Sequence, residues 1–245
     1  MEKIHSMQVV LTEEFTDKYG RLKASGILWL AQEAAGEHCK LLGADDATFD
    51  GLFWAVLRYR VEIERLPRLG ETITVKTWPL PTTKVAYPRA TAAYDEKGDL
   101  LYKIMSIWVL MDENTRGMVL PGKSGVHVEG VTLGDELPVP SNLTGLTTDR
   151  QTTRTVAEED IDKNKHMNNT RYLAWAYDLL DDGFHSAHAL KNFTVCYLSE
   201  ATLGQEVTLH WTAEDAGVLS VMGERSSAEK PDRVFSAKLE FDGIM

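Results

Sequence analysis

Two segments of the chain carry apolar residues at helical spacing, and each is followed by stretches in which apolar and polar residues alternate. The first segment spans Ala24–Leu42, and Gly43 directly after it is typical of a helix end. The second spans about 168–180, where an asparagine suits the N-cap position and Gly183 lies beyond the end. The pattern predicts one long helix early in the chain and another in its second half.

The alternating stretches next to these helices repeat. Residues 61–75 (VEIERLPRLGETITV) align with residues 195–209 (VCYLSEATLGQEVTL) at a shift of 134 positions, and the helical segments align at a shift of about 145. In each copy an alternating run leads through a Leu-Gly pair into a second run, which is typical of a hairpin. Further strand-like runs follow at 85–94 and 101–111 in the first copy, and at 219–224 and 234–241 in the second.

Each half is therefore expected to contain one helix and a run of antiparallel strands. One helix over a curled sheet is the hotdog arrangement, so the predicted fold class is α+β, a tandem (double) hotdog. A stretch rich in Gly, Pro, Ser and Thr separates the two halves. We predict an N-terminal unit over 1–130, a linker over 131–150 and a C-terminal unit over 151–245.

Composition narrows the classes of protein. The 245 residues are 43% hydrophobic, which suffices for a folded core. With 26 basic and 37 acidic residues the net charge is −11, which argues against a nucleic-acid partner. Cys39 and Cys196 have neither disulfide-framework nor metal-site spacing, so we expect both to be buried. No leader pattern or membrane-length apolar run is found, so we predict a cytoplasmic protein without a membrane partner.

A cluster of polar residues directly precedes the second helix. Asp160, Asp162, Asn164, His166 and Asn168 lie within ten residues. Capping explains aspartate and asparagine ahead of a helix, but it does not require the histidine. The free N–H groups and positive dipole end of a helix suit a developing oxyanion, and an imidazole there could position a carbonyl or a water.

A proton acceptor follows in the second copy of the repeat. Glu200 comes 34 residues after His166, and we expect it on a strand near the core, where burial would tune it as a base. The same registers place Tyr19, Arg21 and Leu66 of the first copy at the positions of Asn164, His166 and Glu200. One half therefore carries acid–base groups that the other lacks.

Two structural interpretations compete with catalysis. An Asx-type turn explains Asp162 almost as well as a catalytic role does, and Asn168 and Asn169 are assigned to helix entry. Asp162, Asn164 and His166 are spaced i, i+2, i+4, but no second cluster of ligands joins them in the sequence. We therefore predict no metal site and no cofactor.

The string D-x-D-x-N-x-H-x-N-N with a glutamate 34 residues after the histidine resembles the acyl-acyl-carrier-protein thioesterases of plants and bacteria. Residues 106–116 (SIWVLMDENTR) are similar to that family's segment at the end of its first unit, and the resemblance covers nearly the whole chain. It implies a tandem hotdog that hydrolyses the thioester of a finished fatty acyl chain on acyl-carrier protein, which ends fatty acid synthesis. The implied catalytic residues are Asp162, Asn164, His166 and Glu200, with the acyl pocket mainly in the first unit.

By the same resemblance, Glu200 would polarise the attacking water with help from His166, while Asn164 orients the reacting groups and Asp162 fixes the loop. Direct attack by Glu200 through a mixed anhydride is the rival mechanism. Backbone N–H groups near 167–169 are candidates for holding the thioester oxygen. Many plant members carry a cysteine after the glutamate, but this chain has Ala201, so its mechanism cannot depend on that thiol.

Acyl-carrier protein is acidic, so a positive patch is expected despite the negative net charge. An acyl-CoA thioesterase on the same fold is the nearest alternative, and a non-catalytic sensor of acyl thioesters is another. A homodimer also remains open. Candidates for the patch lie around the polar loop and near the first Leu-Gly pair: Arg150, Arg154, Lys163, Lys165 and Arg171, and Arg58, Arg60, Arg65 and Arg68.

Overall fold

The computed structural model describes residues 3–45, 49, 51–162, 165–214, 217–225 and 232–243. Its contacts divide the chain into two compact units, Met1–Pro140 and Ser141–Met245. The division falls inside the stretch predicted as a linker, 131–150. In the described part of the chain, no helix is long and apolar enough to cross a membrane.

The first unit is an antiparallel sheet with one long helix. The strands are ordered β1-β3-β4-β5-β2, and the short β6 pairs with the end of β5. The elements are β1 (His5–Val10), α1 (Ala24–Leu42), β2 (Leu52–Ile63), β3 (Thr72–Pro79), β4 (Tyr87–Tyr94), β5 (Leu100–Asp112), β6 (Met118–Val119) and α2 (Pro121–Ser124).

Helix α1 has the bounds that its sequence pattern predicts. Its buried stripe includes Ile27, Leu30 and Ala34, which recur at helical spacing and pack towards β1 and β3. Gly43 adopts the left-handed conformation, with φ 64°, and its N–H donates to Lys40 O. A residue without Cβ adopts this conformation at little cost, so the local sequence determines where the helix ends.

The second unit is also an antiparallel sheet, with the strand order β8-β11-β10-β9-β7. A helix of nine residues follows the polar cluster. The elements are β7 (Arg150–Thr155), a 3₁₀ turn (Glu158–Asp160), α3 (Asn169–Tyr177), α4 (Asp182–Ala187), β8 (His188–Tyr197), β9 (Glu206–Glu214), β10 (Val218–Arg225) and β11 (Asp232–Gly243).

Helix α3 is shorter than predicted. It ends at Tyr177 instead of near residue 180, and Gly183 belongs to α4. The reason is a second helix start: the Asp181 side chain accepts a hydrogen bond from Phe184 N at 2.8 Å and caps α4. The apolar periodicity continues through the break, so it conceals the end of the first helix.

The predicted hairpins around the Leu-Gly pairs are wrong. Strand β2 pairs with β5, whereas β3 pairs with β1 and β4; likewise β8 pairs with β11, and β9 with β10 and β7. The connection after β2 instead bonds to the segment before α1, where Leu22 N donates to Pro67 O and Gly70 N to Leu11 O. The turn glycine therefore belongs to a connection between separate parts of the sheet.

The two cysteines are free thiols with different surroundings. Cys196 is buried in β8, as predicted. Cys39 is only half-buried, and its Sγ lies 3.6 Å from Nη2 of the buried Arg89. The prediction of two buried apolar thiols therefore holds for Cys196 alone.

The closest packing in the second sheet is at Gly223 of β10. A Cβ at this position would lie 2.3 Å from a ring carbon of Phe235, whose side chain is completely buried on β11. We expect Gly223→Ala to lower the free energy of unfolding by about 1–3 kcal/mol, since a fully enclosed ring has nowhere to move. Urea denaturation of the whole chain measures the change.

Gly36→Ala is the matched control. Gly36 is exposed in the middle of α1, and a Cβ there meets nothing within 4 Å. The variant should raise the free energy of unfolding by about 0.5–1 kcal/mol, because alanine restricts the unfolded chain and favours the helix. Equal stability of the two variants would contradict this account of the packing.

Candidate active site

The site begins with a loop that closes on itself ahead of α3. Ile161 and Met167 form an isolated antiparallel bridge. Inside the bridge, Asp162 N donates to His166 O at 2.9 Å, and Lys165 N donates to Asp162 O at 3.0 Å. Lys165 adopts a left-handed conformation with φ 64° to complete the turn. We call residues 161–167 the site loop.

Buried groups hold the base of the site loop. Asp160 is 3% exposed, and its carboxylate accepts hydrogen bonds from Arg171 Nε at 2.7 Å and from Ala157 N at 3.1 Å. Asn168 caps α3, because its side-chain oxygen accepts from Thr170 N at 2.9 Å. These bonds account for the structural half of the polar cluster, as capping predicts.

The structure brings His166 and Glu200 together. Nε2 of His166 lies 3.5 Å from Oε2 of Glu200, and the two side chains are 25% and 46% exposed. The contact arises because Met167 N, directly after the histidine, donates to Ala201 O, directly after the glutamate, at 2.8 Å. An imidazole and a carboxylate are thus held side by side where water and a substrate can reach them.

Two of the four predicted catalytic residues stand in different positions from these. The Asp162 side chain faces the backbone of the site loop, where Oδ1 lies 3.4 Å from His166 N, a contact that orients the loop. Asn164 lies outside the described residues. The structure therefore assembles Asp162, His166 and Glu200 in one place.

Glu200 is not the buried strand residue that the alternation predicts. Strand β8 ends at Tyr197, and Glu200 lies in the exposed connection that follows. The alternation of Val195 and Tyr197 stops there because the chain turns away to bond with Met167 of the site loop. Exposure of the carboxylate allows access to a substrate, but burial does not tune it.

The candidate oxyanion donors near the start of α3 are reduced to one. Met167 N donates to Ala201 O at 2.8 Å, and Asn168 N donates to Asp160 O at 2.8 Å. Both amides are therefore engaged within the fold. Asn169 N has no acceptor among the described residues, so it is the remaining backbone donor of the predicted set.

The first unit contains a counterpart of the site loop at the predicted register. Asp17 N donates to Arg21 O at 2.8 Å and Gly20 N to Asp17 O at 2.9 Å, the same pattern as in the site loop. Leu22 N donates to Pro67 O at 2.9 Å, as Met167 N does to Ala201 O. Equivalent backbone bonds in both units support the repeat independently of the sequence alignment.

The side chains of the counterpart loop differ from those of the site loop. Arg21 stands at the histidine position, is 5% exposed and pairs with Asp17, with Nη2 2.9 Å from Oδ2. Its guanidinium also lies over the Tyr19 ring at 4.6 Å. Leu66 stands at the glutamate position. This loop has a buried ion pair where the site loop has an accessible imidazole and carboxylate.

Sequence reasoning missed two residues that contact the Glu200 segment. Arg225 Nη1 donates to Glu200 O at 2.5 Å, and the Tyr172 hydroxyl accepts from Ala201 N at 3.2 Å. Tyr172 sits in an apolar helix pattern and was indistinguishable from a core residue. Arg225 is 25 positions from Glu200, at the end of β10, and no local signal connects the two.

In the part of the chain that the structure describes, no group of three His, Cys, Asp or Glu side chains is arranged to hold a metal ion. The nearest pairing, His166 with Glu200, supplies two such groups. Structural zinc sites use four ligands and catalytic zinc sites use three.

The helix and antiparallel sheet in each unit define the class of the protein, a tandem hotdog. The N-terminal domain of the acyl-ACP thioesterase family matches residues 3–120, and the C-terminal domain of that family matches residues 145–236. The chain therefore belongs to the acyl-ACP thioesterase family.

Solved structures and relatives agree with this assignment. An acyl-ACP thioesterase from Bacteroides thetaiotaomicron superposes with a TM-score of 0.84 and 25% identity, over 98% of both chains. The 12:0-ACP thioesterase from Umbellularia californica superposes with a TM-score of 0.82 over 100% of this chain and 99% of that one; at 21% identity, this likeness shows the fold.

Among curated relatives, the chloroplastic dodecanoyl-[acyl-carrier-protein] hydrolase from Umbellularia californica is 30% identical over 188 residues, which cover 70% of this chain and 49% of the relative. The chloroplastic palmitoyl-acyl carrier protein thioesterase from Arabidopsis thaliana is 26% identical over 214 residues, 79% of this chain and 52% of the relative. The chain thus spans about half the length of the curated relatives it matches.

The left-handed residue of the loop provides a test of its geometry. Lys165 has φ 64°, and its counterpart Gly20 has φ 71°. We expect Lys165→Val to lower the free energy of unfolding by about 1–2 kcal/mol, because a β-branched side chain is strained in this conformation. Lys165→Gly should stay within about 0.5 kcal/mol of wild type, since relief of strain offsets the greater freedom of the unfolded chain. Equal stability of both variants in urea would contradict the loop geometry.

Proposed function

We propose that this chain is a thioester hydrolase that releases free fatty acid from acyl-acyl-carrier protein and thereby terminates fatty acid synthesis. The observation that carries the proposal is the contact between His166 and Glu200, with 3.5 Å between Nε2 and Oε2, in a chain of the acyl-ACP thioesterase family. The names of the relatives, a dodecanoyl-[acyl-carrier-protein] hydrolase and a palmitoyl-acyl carrier protein thioesterase, support this substrate class.

The geometry supports a water-activation mechanism. A water held by Glu200 and His166 loses a proton to this pair as its oxygen attacks the thioester carbonyl carbon. The tetrahedral intermediate then collapses, the C–S bond breaks, and the carrier thiol takes the proton. The distance of 3.5 Å between the two side chains leaves them close enough to share one water and suits a free enzyme whose contacts tighten with substrate.

The other groups of the site have supporting roles in this proposal. Asn169 N, at the start of α3, is the donor that would hold the developing oxyanion, because the preceding amides are already bonded. Asp162 fixes the site loop through its contact with His166 N. Asn164 would orient the reacting groups, as the family motif implies. The first unit, whose counterpart loop holds Arg21 and Leu66, would provide the acyl pocket without acid–base chemistry of its own.

The rival mechanism, direct attack by Glu200, differs in the source of the oxygen. A single turnover in ¹⁸O-labelled water should place one labelled oxygen in every fatty acid if the water attacks the substrate. If a mixed anhydride forms and water then attacks the glutamyl carbon, the first fatty acid would carry an unlabelled oxygen from Glu200. Mass spectrometry of the released acid distinguishes the two.

The structure reduces the predicted positive patch. Arg154 pairs with Asp178 and Arg171 with Asp160, so acidic partners offset their charges. In the first unit Arg60 pairs with Glu62, and Arg65 with Glu71. Lys163 lies outside the described residues, and the candidates with no ion pair among the described residues are Arg58, Arg68, Arg150 and Lys165.

Replacing either member of the acid–base pair tests the proposed chemistry. We expect Glu200→Gln and His166→Gln each to lower kcat for acyl-carrier-protein hydrolysis by roughly 10²- to 10⁴-fold, because neither amide can accept the proton from water. Release of free thiol measures the rate. Glu240→Gln is the matched control, since Glu240 is on β11 and its side chain contacts Lys238. Full activity of Glu200→Gln, or equal loss in the control, would contradict the proposed role.

Carrier selectivity is tested on matched acyl chains. We expect kcat/KM to be higher for acyl-carrier protein than for acyl-CoA by at least about tenfold, since electrostatic complementarity with a protein partner adds to binding of the acyl chain. Equal turnover of acyl-CoA would move the assignment to an acyl-CoA thioesterase. Binding of both without thiol release would favour the sensor. Analytical ultracentrifugation of the same sample tests the predicted homodimer.

A further inference from the structure

The peptide bond between Glu200 and Ala201 is held from both sides by side chains distant in sequence. Its carbonyl accepts from Arg225 Nη1 at 2.5 Å, and its N–H donates to the Tyr172 hydroxyl at 3.2 Å. Ala201 is completely buried, so its N–H has no access to water. A buried amide without an acceptor is costly, so the tyrosine hydroxyl stabilises this peptide orientation.

Arg225 holds more than the one carbonyl. Its Nη1 also donates to Gln205 Oε1 at 3.1 Å, and its Nη2 donates to Ser199 Oγ at 3.2 Å and to the Asp232 carboxylate. The planar guanidinium presents its donors in a fixed fork. One side chain therefore ties together the connection on both sides of Glu200.

Tyr172 is itself rigid and uncharged. Its ring is 2% exposed and packs against Phe235 and Tyr197, with ring centroids 5.0 and 5.8 Å away. Burial raises the pKa of its hydroxyl above the usual value, so the group stays protonated. A fixed neutral hydroxyl can accept from the Ala201 amide without placing a negative charge beside Glu200.

The first unit shows that the fold does not require these contacts. The backbone bond from Leu22 N to Pro67 O is retained there, as the counterpart of Met167 N to Ala201 O. However, Pro67 has no N–H, and Ile27 stands at the tyrosine position by the shift of 145 residues. The tyrosine–amide contact is therefore missing in the unit that also lacks the histidine and the glutamate.

From these contacts we infer that Tyr172 and Arg225 are positioning residues that clamp the Glu200–Ala201 peptide and so hold the Glu200 carboxylate against His166. The inference rests on the proposed function and extends it to the source of the geometry. Clamping matters because Glu200 is in an exposed connection after β8, where its own packing does not fix it.

The test compares Tyr172→Phe and Arg225→Gln with controls of the same chemistry in the full chain. Tyr177→Phe is on the same helix, where the ring stacks on His185, and Arg233→Gln is on β11, where the side chain contacts Glu224. We expect each clamp variant to lower kcat for an acyl-carrier-protein substrate by about 10- to 100-fold with KM nearly unchanged, because the carboxylate is misplaced while the acyl pocket is intact. The controls should keep kcat within about twofold.

Two readouts separate positioning from loss of stability. Arg225→Lys retains one cationic donor and should recover part of kcat relative to Arg225→Gln, although lysine cannot replace the bidentate fork. Amide hydrogen exchange, followed by NMR, should speed up at Ala201 in Tyr172→Phe by at least about tenfold, while amides of β10 and β11 keep their protection.

The outcomes distinguish this inference from the proposed function. Clamp variants with wild-type kcat and unchanged exchange at Ala201 would overturn the inference while leaving the hydrolase assignment intact. A fall in kcat matched by an equal fall in the controls would overturn it as well. A wild-type chain that releases no thiol from any acyl thioester would overturn the proposed function; exchange at Ala201 would still decide whether Tyr172 holds the peptide.

Discussion

One backbone hydrogen bond, from Met167 N to Ala201 O, determines the geometry of the site. It joins the loop before α3 to the connection after β8, two segments that are more than 30 residues apart in the sequence. Because His166 precedes one partner and Glu200 precedes the other, the bond places an imidazole beside a carboxylate. Backbone bonds do not depend on side-chain identity, so this framework persists when the side chains change.

The first unit illustrates that independence. Leu22 N and Pro67 O form the counterpart bond, yet the side chains beside it are Arg21 and Leu66. Arg21 is buried against Asp17, where removal of one partner would leave the other as an unpaired buried charge. A repeated fold can therefore retain its connections while one copy exchanges an accessible acid–base pair for a structural ion pair.

Elements governed by local physics were predictable from the sequence. The bounds of α1 follow from apolar spacing and from a glycine that adopts φ 64° at its end. The N-cap of α3 at Asn168 follows from the same chemistry. The hairpins were wrong because alternation shows that a segment is a strand but not which strand it pairs with. The end of α3 was missed because a second cap at Asp181 interrupts a continuous apolar pattern.

The candidate site divides in the same way. By itself, the sequence determined that His166 precedes a helix, that Glu200 follows a strand, and that the other copy of the repeat lacks both, since these are matters of order and register along the chain. Only the tertiary structure decided that the two side chains lie 3.5 Å apart, that Glu200 is exposed, and that Tyr172 and Arg225 hold its peptide bond. Such contacts join residues far apart in sequence, and their geometry depends on how the strands pair and the helix packs, which no local pattern encodes.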